Sequence, residues 1–535
     1  MAADWLFERH AIKKDALLKS IEVDLKLSAS TLTYTSTEGT VSISLDFVFG
    51  ATQSTNSSPF PSKLTTATVK DVEGGTSVIV HSLKLVDGTT DKPPLYQPLL
   101  LELASSSEAL ELKTAVRSIL SADRKPIYVV INPFAGKKLA VQTYETASLP
   151  MLQAAGIKTE VHLTTHALHA TELITDLNPD LYSCIAVFGG DGTFHEVLNG
   201  IMTRADWEVA TKLPLAMVGG GSSNAFTKNT DALYPELATL AVIKGCTKYM
   251  DIFSVITPKQ VMFSHLEVLF ALIADLDIES DRYRWLGPER FTMAAVLKFK
   301  PSRWLRKYKG KLYMLPYEPS KEKAEVAAKE YQTEAAKTLG NLTKPAGFQN
   351  HTVSSRGNET LGYNGPPLRY TASPTAHLSW PVVDSHFTFF VAMNLPFASP
   401  DWLTSEFARF GDGAMDIIWA ENLVRSQVLP LLNDQAAGLH LKLPGIQFQK
   451  TRAWVLEPEG WGKGMPDPNK VKSGSKKDKN ALQKGYMDIS GEEIEYGPIR
   501  VEIHSDIVKV IVPSWLDEDK WGREIASIRL KGAKL

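Results

Sequence analysis

Two periodicities divide the chain. Up to about residue 105 apolar and polar positions alternate, the two-residue period of strands with one buried face. The run "TVSISLDFVFG" sets Val41, Ile43, Leu45, Phe47 and Phe49 on one face of a strand, and "TSVIVHSLKLVDG" and "PLLLEL" predict further strands. The pattern then turns helical in "SSSEALELKTAVRSIL", which has a serine cap, an early glutamate and an apolar face at Ala109, Leu112, Val116 and Ile119. From Pro126 short β-branched runs alternate with helical ones. "PIYVVINP", "KTEVHLTTH", "SCIAVFGG" and "KLPLAMVGGG" are strands, and "KLAVQTYETASLPMLQAAG" and "ALHATELITDL" are helices. Such a series predicts a parallel sheet covered on both faces. Beyond about residue 260 strands dominate again, as in "FTFFVAMNL", "QKTRAWVLEP" and "IRVEIHSDIVKVIVP". Two polar stretches, near 319–366 and 464–486, have no apolar period and are expected to be loops.

The expected organisation is therefore α/β plus β. A β-rich accessory module covers 1–121, an α/β domain 122–260 and a β-rich domain 261–535. Strands followed by one closing helix resemble a pleckstrin-homology-like barrel; a generic β accessory module fits the same pattern.

Composition changes this picture little. With 44% hydrophobic and 22% charged residues over 535 positions, the chain has room for two or three ordinary globular domains. A net charge of −2 argues against a nucleic-acid partner. Cys184 and Cys246 both fall in apolar surroundings, which predicts neither a disulfide framework nor a cysteine metal site. No apolar run reaches the roughly 18 residues a membrane span needs, and the N-terminus does not read as a signal peptide. A cytoplasmic, peripherally membrane-associated protein is the expectation.

The chemistry concentrates where strands end in glycine. In "AVFGGDGTFHEVLNGIM" a buried strand, Ile185 to Phe188, runs into Gly189, Gly190, Asp191 and Gly192. Phe194, Val197, Leu198 and Ile201 then resume at helical spacing. The glycines predict a turn of unusual torsions, and backbone N–H groups with a helix amino end favour phosphate there. Asp191 beside such a site suits a metal ligand or a proton acceptor. Related clusters, "NPFAGKK" at 132–138 and "GGGSSNAF" at 219–226, also follow strands. The P-loop pattern and the protein-kinase signatures are missing.

Together the three clusters resemble the diacylglycerol-kinase-type catalytic domain. The later blocks "FALIADLDIESDRYRWLGPERFTMAAVLKF", "GDGAMDIIWA" and "SGEEIEYGPIRVEI" closely resemble sphingosine (long-chain base) kinases, and the likeness spans roughly 125 to 515. It implies an α/β domain carrying ATP and a β-sandwich holding a sphingoid-base lipid, with magnesium. By the same resemblance Asn132, Gly136, Thr164, Gly189, Gly190, Gly192, Thr193, Gly221, Ser222, Asn224, Arg284, Arg290, Gly491 and Glu492 surround the nucleotide. Asp191 is the candidate general base and a candidate magnesium ligand; Asp277 meets the acceptor's ammonium and hydroxyl, and Asp281 orients the arginines. Two departures stand out. Ser223 replaces a family glycine, and Ser490 replaces the aspartate of a family D-G-E, leaving Gly491 and Glu492.

Met293, Val296 and Leu297, followed by Lys298, Lys300, Arg303, Arg306 and Lys307, form a candidate membrane contact. Self-association into a homodimer stays open. The expected activity is ATP-dependent phosphorylation of the primary hydroxyl of a sphingoid base. Ceramide or diacylglycerol kinase is the near alternative, and a catalytically inactive lipid sensor the alternative of another class.

Overall fold

The structure, a computed structural model, describes residues 7–14, 20–28, 30–36, 39–54, 74–120, 124–219, 224–280, 308–317, 363–424, 426–428, 430–431, 438–459, 485–520 and 523. Seven strands come first: β1 (Phe7–Lys14), β2 (Ser20–Leu27), β3 (Thr31–Ser36), β4 (Gly39–Ser44), β5 (Val48–Ser54), β6 (Ser77–Lys84) and β7 (Leu95–Glu102). They form one antiparallel sheet in the order β4-β3-β2-β1-β7-β6-β5. The alternating run "TVSISLDFVFG" is two strands, not one. The side-chain oxygen of Ser44 accepts the Asp46 N–H, a tight turn crosses Leu45–Phe47, and β4 and β5 end at opposite edges of the sheet. Alternation survives the corner because the turn itself buries Leu45, so the period alone hides the break. Out on the edge strand, Val41 is 45% exposed.

The helix Ser106–Ile119 closes the module as its cap predicts, with Ser105 Oγ accepting the Glu108 N–H at 3.2 Å. Its buried face joins a core that does not stop at the module's edge. Phe49 and Leu112 share one apolar cluster with Met151, Leu152, Leu240 and Ile243 of the α/β region. Gly50 lies so close to that region that a Cβ there would sit 2.3 Å from the Ala154 carbonyl carbon. Polar ties reinforce the contact: Lys228 pairs with Asp91 at 3.0 Å, and the Thr90 hydroxyl donates to Asp231 at 2.7 Å.

The α/β region supplies β8 (Ile127–Ile131), β9 (Thr159–Leu163), β10 (Cys184–Gly189) and β11 (Leu215–Gly219), parallel in the order β11-β10-β8-β9. Every residue of β8, β10 and β11 is buried, as expected for strands covered on both faces. Cys184 is buried in β10, whereas Cys246 is exposed. It follows the left-handed Gly245 that ends the helix Pro235–Lys244, so the expectation of apolar surroundings holds for the first cysteine alone.

The remaining strands are β12 (Thr247–Ile256), β13 (Val261–Ser264), β14 (Glu267–Ala271), β15 (Tyr308–Pro316), β16 (Val382–Met393), β17 (Phe397–Ser399), β18 (Trp402–Leu403), β19 (Met415–Glu421), β20 (Ile446–Pro458), β21 (Met487–Ile489), β22 (Glu492–Ile494) and β23 (Ile499–Ile511). Apart from the small β17-β18 hairpin they continue the same sheet. The last long strand, β23, makes the join: it pairs antiparallel with β12 and β20, and parallel with β11 at Leu215↔Val510. Both β15 and β19 bridge β16 and β20, so these four strands form a closed circuit of pairings. A long, strongly twisted sheet curls in this way to bury its inner face. Among the described residues no helix is long and apolar enough to cross a membrane.

Candidate active site

The carboxyl ends of β8 and β10 carry the first two glycine clusters, the edge where a parallel sheet presents its ligand crevice. The strand β10 ends at Gly189, and the helix Asp191–Met202 starts two residues later with Phe194, Val197, Leu198 and Ile201 buried as the spacing predicts. The reason for the glycines differs from the expectation. Gly190 has φ −116°, and neither Gly189 nor Gly192 enters the left-handed region. Space is what they supply. A Cβ on Gly189 would lie 2.8 Å from Thr193 Oγ1, and one on Gly192 would lie 3.1 Å from Glu492 Oε1. Torsional freedom matters one loop earlier, where Gly136 takes φ 47°.

Asn132 ties these loops together. Its Nδ2 donates to Thr193 Oγ1 at 2.9 Å, and its Oδ1 accepts the Phe134 N–H at 3.0 Å. The backbone beyond β8 is thereby folded toward the GGDGT turn.

Asp191 is 5% exposed. Its Oδ2 accepts the Ala225 N–H at 2.9 Å and its Oδ1 the Phe226 N–H at 3.0 Å. It thus caps the short helix Ala225–Asn229, the structural job an aspartate does well. Burial pushes its carboxyl up to about 6, against the pull of those backbone N–H groups. Each oxygen keeps a lone pair beyond its amide bond, and the residue lines a cavity.

That cavity has a volume of about 580 Å³. One wall is made by Asn132, Gly136, Gly190, Asp191, Gly192 and Thr193. The rest of the lining is largely apolar, from Leu266, Leu269, Ile273, Val391 and Trp402, with Asp277 and Glu267 among it. Asp277 comes from the helix Leu272–Ser280 and is half-buried. Ser490, Gly491 and Glu492 also line the cavity. Ser490 and Gly491 form the two-residue turn between β21 and β22, with φ 52° and 88°. That geometry favours Asn-Gly or Asp-Gly. Serine is held there by its hydroxyl, which shares a 2.5 Å hydrogen bond with Ser264 Oγ and accepts the Glu267 N–H at 3.4 Å.

The cavity thus gathers Asp191, Asn132, Gly136, Gly190, Gly192, Thr193, Asp277, Gly491 and Glu492 from the residues singled out in the sequence. Gly189, Thr164 and Asn224 are not on its lining. Thr164 is buried behind the wall, its N–H on the Ile131 carbonyl, while Thr165 and His166 reach the cavity in its place. Asn224 packs its side chain against Gly219 at the foot of the third loop. Gly221, Ser222 and Ser223, and also Asp281, Arg284, Arg290, Met293, Val296 and Leu297, lie outside the described residues.

Glu267 escaped the sequence reading because it sits inside "HLEVLFALIAD", a run that scans as strand core. A glutamate set among the apolar residues of such a run was the available signal. Its carboxyl is raised well above the usual range by burial and then by the neighbouring acids Asp277 and Asp191. Asp488 is raised likewise by burial and by Asp277 and Glu267.

Residues 126–255 match the family model described as the diacylglycerol kinase catalytic domain. The chain carries that catalytic domain. Among curated proteins, "Sphingosine kinase 2" of Arabidopsis thaliana is 29% identical over 378 residues, covering 70% of this chain and 70% of that protein. "Sphingoid long chain base kinase 4" of Schizosaccharomyces pombe is 28% identical over 338 residues, covering 63% of this chain and 68% of that one. A crystal structure of a diacylglycerol kinase from Bacillus anthracis str. Sterne aligns at a TM-score of 0.43 and 12% identity, covering 74% of this chain and 99% of that chain. The protein is a lipid kinase.

Proposed function

We propose that the protein transfers the γ-phosphoryl group of ATP, with magnesium, to the primary hydroxyl of a sphingoid long-chain base. One observation carries the reading: a single cavity gathers the GGDGT turn and Asp191 together with an apolar lining that holds an acid, Asp277. The relatives named as sphingosine and long-chain base kinases support the same substrate class.

Each wall has its part. Backbone N–H groups around Gly190 and Gly192 donate to the phosphate oxygens at the amino end of the helix Asp191–Met202. The Asn132–Thr193 bond holds the two phosphate loops at one spacing. Magnesium, when bound, neutralises phosphate charge. Asp191 and Glu492 would hold it together with phosphate oxygens, a donor set of hard oxygens that suits the ion. Asp191, fixed by two backbone amides, takes the proton of the acceptor hydroxyl as its oxygen attacks phosphorus. A carboxyl near 6 is ionised at neutral pH and a better proton acceptor than an ordinary aspartate. On the other wall Asp277 binds the acceptor's ammonium, while Leu269, Ile273 and Trp402 take the start of its chain. The acceptor arrives from a membrane surface, where the Met293, Val296 and Leu297 patch docks.

The test is phosphate transfer by the purified full chain with ATP and magnesium, run in parallel on sphinganine, ceramide and diacylglycerol. Transfer to the free base and not to the other two is expected. Transfer to ceramide or diacylglycerol instead would overturn the assignment of Asp277. No transfer to any lipid would put a lipid-sensing role in place of catalysis.

A further inference from the structure

Every residue of β14 is buried, yet the strand begins with a glutamate. Alternation along the strand explains where that side chain goes. Val268 and Phe270 pack into one core and Leu269 into another, so Glu267 shares the face of Leu269, and both line the cavity. Glu267 is 7% exposed, and its Oε2 has no hydrogen-bond partner among the described residues. Burying such an atom is costly unless something pairs with it in the working state.

The neighbouring strand adds a second carboxyl on this face. The register sets Asp488 opposite Leu269. Its Oδ1 accepts the Gly491 N–H at 2.9 Å, its carboxyl stands close enough to Asp277 for that acid to raise its proton affinity, and its Oδ2 has no hydrogen-bond partner among the described residues. The acid assigned to the acceptor's amine is therefore backed by two more that are shielded from water. An ammonium group carries three N–H donors in a tetrahedral fan, more than one carboxylate satisfies. Among the described residues no group of three metal-ligating side chains comes together, whereas an amine needs only the oxygens that Asp277 and Glu267 offer.

We propose that Glu267 is a specificity-determining residue for the acceptor, its Oε2 accepting a hydrogen bond from the ammonium of a long-chain primary amine while Asp277 accepts another. The inference rests on the kinase reading above and deepens it. Asp488 is a positioning residue that fixes the Asp277 carboxyl. A cationic head is favoured over an N-acylated or esterified one because both acids then face donors and a positive charge.

The test measures equilibrium binding of a fluorescent long-chain amine and its matched alcohol to the full-length wild type, Glu267→Gln and Glu267→Asp. Glu267→Gln keeps the shape and removes the group that can ionise against an ammonium. Amine affinity is expected to fall at least about tenfold, about 1.4 kcal/mol, with alcohol affinity changed less than about twofold. ATP binding, which reports folding, is expected to hold, and Glu267→Asp is expected to recover part of the amine affinity. Equal losses for amine and alcohol would overturn the proposal, as would unchanged amine binding. A raised magnesium requirement with unaltered amine binding would place Glu267 on the metal instead. Phosphate transfer by the wild type, measured alongside, reports on the kinase reading separately: absent transfer with intact amine selectivity would sink that reading, and intact transfer with unselective binding would sink only this one.

Discussion

The two walls of the cavity bury carboxyls in opposite ways. On the phosphate wall Asp191 has an amide donor on each oxygen, and its carboxyl rises only to about 6. Around the acceptor side Glu267 lines the cavity and Asp488 sits behind it; both are as deeply buried, Asp488 has a single amide donor from Gly491, acids stand beside both, and both carboxyls are driven well above the usual range. Desolvation is common to the two walls; what differs is the compensation. Backbone donors hold down the rise of one carboxyl, and neighbouring acids add to the rise of the others.

The contrast can be broken at several points. The largest effect is expected for Asp191→Asn, which leaves a group of the same shape that cannot take the hydroxyl proton. General-base loss typically costs about 10²–10⁴ in kcat. ATP affinity, read by equilibrium binding, is expected to change less than about tenfold. A variant that loses ATP binding and transfer together would make Asp191 a helix cap only.

Next comes crowding of the phosphate wall. Gly189→Ala would drive a methyl to 2.8 Å from Thr193 Oγ1 and 3.0 Å from Thr193 Cβ, atoms with little room to retreat. Overpacking of this kind costs about 1–3 kcal/mol, so a lowered melting temperature and weaker ATP binding are expected. Gly192→Ala meets only the tip of Glu492, a flexible and exposed side chain, and should be milder. Equal penalties at both positions would show that torsion rather than space governs the turn. The smallest effect is expected from Asn132→Ala, which removes the tie to Thr193 and the Phe134 cap; about 0.5–1.5 kcal/mol per hydrogen bond is at stake. Calorimetry and the ATP KM together check it.

Legibility in the sequence followed locality. The β10 turn could be read because a β-branched run, three glycines and a helical period fall within about twenty residues, and the structure places Phe194, Val197, Leu198 and Ile201 inside. Asp191 was readable as chemistry but not as a cap, since Ala225 and Phe226 arrive from another loop. The acceptor wall was nearly silent. Glu267 hides in an apolar run, Asp488 stands more than two hundred positions away, and only the β14-β21 pairing brings them to one face. The corner at Leu45–Phe47 was missed for the converse reason, because alternation runs unbroken through the turn. The N-terminal region read as a β-rich accessory module, and its Phe49 and Leu112 share a core with Met151 and Leu240, a contact no local pattern carries.

The central claim is that the two walls hold their acids in different states. It is tested most directly by the pH dependence of kcat at saturating ATP, magnesium and free base, in the wild type and in Glu267→Gln. Asp191 must be ionised to accept the proton, so the rate should rise with pH, level off above about 6, and fall close to tenfold per unit below it. The same limb should appear in Glu267→Gln. A rate independent of pH down to 5, or a limb that disappears in Glu267→Gln, would contradict the account.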